Sequence, residues 1–115
     1  MKIRITAGST VLTATMNDSA TSRDFISLLP QTLKITDYSS TEKISDLPKK
    51  LSTQGAPGGC KAAKGDITLY APWGNLAIFY RDFGYASGLV CMGKVDGQLD
   101  DIKKLSGNVL FERID

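Results

Sequence analysis

The chain has 115 residues, 42% apolar and 23% charged, with 14 basic and 12 acidic side chains for a net charge of +2. That length suits one domain, expected over residues 1–115, and the composition is that of a globular chain. The charge is too slight for a nucleic-acid footprint, and no apolar run reaches the roughly 20 residues that cross a bilayer.

Met1 to Thr6 alternates apolar and polar residues and contains no early apolar leader, so a cytoplasmic location is expected. Ile3, Ile5 and Ala7, the Gly8-Ser9 turn, and Leu12, Ala14 and Met16 then describe an opening hairpin with one buried face. Thr21-Ser22-Arg23-Asp24 fits a capping box, and the apolar cluster Phe25, Ile26, Leu28, Leu29 before Pro30 predicts a helix over 20–29. Leu33 and Ile35 mark a third strand.

Residues 37–64 are harder to read. Tyr38-Ser39-Ser40 is a turn and 42–47 a short strand, whereas Pro48, Pro57 and Gly55-Ala-Pro-Gly-Gly59 argue for a long loop. Ile67 and Leu69 alternate with polar neighbours, while Leu76 to Tyr80 is an unbroken apolar run, the mark of a strand buried on both sides. Pro72-Trp73-Gly74-Asn75 turns one into the other, giving a central hairpin.

Residues 81–88 read as a second loop, in which Asp82-Phe83-Gly84 lacks every companion a kinase signature needs. A strand over 89–95 follows. Leu99, Ile102 and Leu105 then suggest an amphipathic helix with an Asp100–Lys104 pair, closed by Gly107 as a left-handed cap. Val109 to Ile114 is the last strand, paired with the first. Eight strands and two short helices, without the alternation that a parallel sheet needs, make a closed antiparallel barrel the natural fold.

Histidine is absent, which removes the Ser-His-Asp and Cys-His routes to a nucleophile and the commonest metal ligand. Cys60 and Cys91 lack zinc or redox spacing; Cys91 reads as a small buried hydrophobe, and a disulfide with Cys60 has no sequence support. Gly58-Gly59-Cys60-Lys61 lacks P-loop spacing. No cofactor or metal is expected.

The segments Gly65-Asp66-Ile67, Tyr70-Ala-Pro-Trp-Gly-Asn-Leu-Ala-Ile-Phe-Tyr80 and Gly93-Lys94-Val95 resemble the bacterial cyclophilin-like proteins, over nearly the whole chain. The resemblance implies a mainly β fold, a closed eight-stranded cyclophilin-like barrel with two short helices. True cyclophilins carry an Arg-Ile-Ile-Pro-like segment and Phe-Met-x-Gln-Gly-Gly-Asp, and neither is found in this chain. No catalytic residue carries over.

Three functions are weighed, the third a hydrolase or lyase using the carboxylates Asp66, Asp82 or Asp100-Asp101, of which the last two are helix neighbours and cannot face each other across a substrate. In the first, a barrel binds a peptide or small ligand in a cleft lined by Tyr70, Trp73, Asn75, Tyr80 and Tyr85, since such clefts combine aromatic plates with a few polar groups. In the second, a prolyl isomerase with a relocated catalytic Arg81 uses an apolar cradle and one donor to favour the twisted amide. Against this stands the plainer reading of Arg81 as a loop ion pair with Asp82 or Asp66.

Overall fold

Alternation along the first residues folds as read. In the computed structural model, which describes residues 1–115, β1 (Lys2–Ala7) and β2 (Thr10–Met16) pair antiparallel, Ile5 opposite Leu12 and Ile3 opposite Ala14. Helix α1 (Ala20–Ile26) follows, then β3 (Gln31–Tyr38), β4 (Glu42–Ser45), β5 (Gly59–Ala62), β6 (Asp66–Tyr70), β7 (Asn75–Phe79), β8 (Gly84–Ser87) and β9 (Leu89–Val95). A 3-10 helix (Leu99–Lys104) and β10 (Gly107–Arg113) complete the chain.

Eight of the strands close into an antiparallel barrel in the order β1-β10-β3-β4-β7-β6-β9-β2; β10 lies beside β1 as expected. A core of 21 buried residues fills the interior, including Ile3, Ile5, Leu12, Leu69, Leu76, Ile78, Met92 and Phe111. Phe25 of α1 meets Phe111 edge-on at 5.9 Å, and Ile102 and Leu105 are fully buried in the same core. Gly93 is required where β9 passes β2, because a Cβ there would lie 2.6 Å from the Thr15 carbonyl oxygen.

Four expectations change. Helix α1 is capped by Ser19, whose hydroxyl accepts from the Ser22 amide at 3.1 Å, not by a box at Thr21 and Asp24. Those two residues instead hold the following loop: Thr21 donates to the Ser52 carbonyl and Asp24 accepts from the Ser52 amide at 2.7 Å. The helix ends at Ile26, with Leu28 and Leu29 in tight-turn bonds to Phe25 and Ile26 before Pro30, which disfavours helix in its predecessor.

The second helix is 3-10, with a physical reason legible in hindsight. Leu99, Ile102 and Leu105 recur every third residue, the period at which a 3-10 helix keeps one face. Asp100 bonds Lys64 at 2.6 Å instead of Lys104, which pairs with Asp101, and Gly107, at φ +67°, opens β10 and caps nothing.

The supposed loops around 58–62 and 81–88 each contain a strand. β5 and β8 pair with one another as a separate two-stranded sheet. Finally, Cys60 of β5 and Cys91 of β9 form a disulfide with Cα atoms 6.2 Å apart, fastening this small sheet to the barrel wall.

Replacing both cysteines by serine should cost about 2–4 kcal/mol of stability, as loss of a cross-link of this span does. Hydrogen exchange should accelerate in β5 and β8 far more than in β1, β2 or β10. Equal acceleration everywhere would show that the small sheet is not a separately held unit.

Candidate functional site

Register fixes which side chains leave the barrel together. Residues directly opposite across antiparallel strands share a face. Leu69 opposite Leu76, and Lys43 and Ile67 opposite Ile78, therefore point to the interior side. Tyr70 opposite Asn75 and Leu89, Ile44 opposite Ala77, and Glu42 opposite Phe79 and Tyr38 point outward.

This outer face is apolar and is covered. Ala77, Phe79 and Leu89 form a second buried cluster with Ala62 of β5, against which Ala86 of β8 packs. All five residues of β7 are consequently buried, matching the doubly buried strand expected of Leu76 to Tyr80.

The cover does not fill the space beneath it. A cavity of about 260 Å³ remains, floored by Ile44, Phe79 and Leu89. Tyr38, Tyr70, Trp73, Phe83, Ala86 and Ser87 line the rest, with Glu42 and Asn75 among its polar groups. The Trp73 ring stands at 82° to Tyr38 and 80° to Tyr70, with centroids 6.1 and 5.4 Å away. Trp73 is 64% exposed, so it forms the rim.

The turn that presents Trp73 is built by the backbone: the Gly74 amide donates to the Tyr70 carbonyl at 2.8 Å, and Gly74 takes a φ of +68°. Gly88 sits beneath it, where a Cβ would strike Pro72 at 2.8 Å.

Two polar groups at the cavity are only partly satisfied within the protein. Asn75 is 5% exposed; its amide nitrogen donates to the Leu76 carbonyl at 3.1 Å, which leaves Oδ1 buried without a partner. Burial raises the Glu42 carboxyl pKa above its ordinary value, with no hydrogen bond or nearby cation opposing the shift.

Of the residues expected from sequence, Tyr70, Trp73 and Asn75 line this cavity together. Tyr80 and Arg81 do not: they border a polar hollow with Lys64, Asp82, Asp100 and Lys103. Tyr85 is 66% exposed on the opposite side of β8 from Ala86. The expected Arg81 ion pair is not formed either. Asp82 accepts from the Lys64 amide, whereas Asp66 accepts from the Ala63 amide and lies 3.9 Å from Lys94.

Sequence reading missed Tyr38, Glu42, Ile44, Phe83, Ala86, Ser87 and Leu89 as lining residues, and took Phe79 as part of a buried strand. The available signal was register: Glu42, Ile44, Ala77 and Phe79 fall on one face once β4 is paired with β7.

At the mouth of the barrel, Lys43 is 7% exposed and stands 3.5 Å from Asp37 and 5.6 Å from the centre of the Tyr80 ring. The Tyr80 hydroxyl donates to Asp37. That bond, then the Ser40 amide and Lys43, hold the Asp37 carboxyl below its ordinary pKa, and the same bond raises Tyr80.

A depressed folded-state pKa stabilises above the unfolded carboxyl value, roughly 3.9, and that contribution disappears as pH falls through the folded value. The stability gap between wild type and Asp37→Asn should therefore be present at neutral pH and close below about pH 4. Thermal melts across that range check it; a gap independent of pH would exclude the carboxylate as its source.

A closed eight-stranded antiparallel barrel with two short helices defines the class of this protein. Residues 5–112 match the Cyclophilin-like family, and the chain belongs to it. Among solved structures, the solution structure of the hypothetical protein AF2241 from Archaeoglobus fulgidus is similar, with a TM-score of 0.70 at 17% identity. It covers 99% of this chain and 95% of that one. At that identity the likeness shows the fold alone. None of the curated proteins is significantly similar. No helix is long and apolar enough to cross a membrane.

Proposed function

We propose that this protein is a binding barrel that takes a small ligand, or one side chain of a peptide, in the aromatic cavity between its β4-β7-β6 wall and the β5-β8 cover. The observation that carries the reading is a largely apolar space of about 260 Å³ bounded by perpendicular aromatic rings and holding a few polar groups, Glu42 and Asn75 among them. Clefts that bind small molecules are apolar with a few placed polar groups, and those for drug-sized ligands begin near 300 Å³. A space just below that limit suits one ring or one side chain. Tyr70, Trp73 and Asn75 are its proposed ligand contacts; Tyr80 and Tyr85 fall outside it.

Trp73 is the only tryptophan and sits at the rim, so its fluorescence reports occupancy directly. Titration with 2-phenylethanol should change that emission saturably. Ala86→Leu, which fills the space from the cover side, should weaken binding at least tenfold, while Arg81→Ala should leave it unchanged. Unaltered binding in Ala86→Leu would move the site elsewhere.

The isomerase reading ranks second, because it needs an arginine donor beside an apolar cradle. No arginine borders the aromatic cavity, and Arg81 borders the polar hollow. An exchange assay on a short Xaa-Pro peptide should give the uncatalysed rate for wild type and Arg81→Ala alike. Acceleration lost in the variant would restore this reading.

The cytoplasmic location expected from sequence has a counterweight in Cys60–Cys91, since disulfides persist chiefly in oxidising compartments or in the intracellular proteins of hyperthermophiles.

A further inference from the structure

We propose that the group this cavity recognises is a protonated amine carried on an apolar body. The inference rests on the reading of the cavity as a ligand site and names the chemistry of its occupant.

Three observations converge. Glu42 lines the cavity, takes part in no ion pair or side-chain hydrogen bond, and has no lysine or arginine among its companions there. Asn75 is 5% exposed; one N–H of its amide donates to the Leu76 carbonyl, and its Oδ1 has no partner. Glu42 is thus the one charged group lining the cavity and no cation faces it, so the complementary ligand carries a positive charge. A carboxylate or phosphate would meet only repulsion from Glu42.

The rings supply the third observation. Tyr38 and Tyr70 meet Trp73 edge to face, so the three rings line the cavity without stacking flat on one another. Ring faces arranged this way attract ammonium groups, Trp most strongly. The raised pKa of Glu42 agrees: burial disfavours its charge, and a bound cation would supply the compensation that the empty wall lacks. Phe79 and Phe83, 5.3 Å apart, hold the apolar body.

Such a group can arrive as a free amine or as a lysine side chain. The test uses Trp73 fluorescence with four probes: 2-phenylethylamine, 2-phenylethanol, phenylacetate and the capped tripeptide acetyl-Ala-Lys-Ala-amide. The amine should bind at least tenfold more tightly than the alcohol, a difference of about 1.4 kcal/mol, and phenylacetate should be weakest. In Glu42→Gln, which keeps the shape and removes the charge, the preference for the amine over the alcohol should disappear.

Tripeptide binding at the strength of the amine would identify a lysine as the occupant; binding of 2-phenylethylamine alone would identify a free amine, and both support the proposal. Equal affinity for amine and alcohol would overturn it and leave ligand binding intact. An amine preference that survives in Glu42→Gln would overturn it as well. If no probe binds, the ligand-site reading itself falls, and this inference with it. Should Glu42→Gln fail to fold, the ranking of the three phenyl probes on wild type decides alone.

Discussion

The structure depends on β7 being buried on both of its faces. Leu76 and Ile78 enter the barrel core, while Ala77 and Phe79 enter a second cluster outside the barrel wall. A barrel strand ordinarily leaves its outer face to water, and polar residues alternate there with the core positions. An apolar outer face exposes surface worth about 25 cal/mol per Å² when covered, and the chain supplies a cover from two segments far apart in sequence. Ala62 and Ala86 come from β5 and β8 and bring little more than methyl groups. Small covering side chains over large wall side chains keep the lid close without filling the hollow beside Phe79.

The cover has little stability of its own. Two short strands make a marginal sheet in isolation, so its order comes from what fastens it. The Cys60–Cys91 bond holds one strand to β9. Backbone bonds from Gly88 to Gly58 and from Phe83 to Ala62 hold its ends at 2.8 and 3.0 Å. Wall and lid therefore belong to different stability classes: a closed ladder of eight strands on one side, a fastened pair on the other. Opening of the fastened pair would leave the eight-stranded ladder intact.

The parts of this fold that could be read from sequence are those governed by local pattern. Period-two alternation located Ile3, Ile5, Leu12 and Ala14, and the uninterrupted run at Leu76 announced a strand with two buried faces. All eight barrel strands were legible in this way. The parts that escaped were decided by contacts distant in sequence. Gly59 to Ala62 and Gly84 to Ser87 contain too little apolar periodicity to signal strands, and become strands only by finding each other. Thr21 and Asp24 have capping chemistry, yet Ser19 takes the cap and leaves them to bind Ser52. The site divided along the same line. Tyr70, Trp73 and Asn75 share one hairpin and stayed together, whereas Tyr80, one residue beyond Phe79, faces the other way and was lost to the barrel mouth with Asp37 and Lys43.

Membership of the Cyclophilin-like family fixes the barrel and leaves the chemistry open, because one fold hosts many sites. The interior cannot be that site. An eight-stranded barrel is just wide enough for its own side chains, and here Phe25, Phe111, Met92 and the aliphatic residues fill it. The surfaces left open are the outer wall and the barrel ends. At the mouth, Lys43, Asp37 and Tyr80 satisfy one another, and the hollow beside Arg81 is polar and shallowly framed by loops. Only the outer wall combines enclosure, aromatic surface and polar groups whose demands the protein itself leaves unmet. Leaving Asn75 Oδ1 without a donor costs stability on the order of 1–3 kcal/mol. That cost falls at a cavity, where a single apolar substitution would remove it.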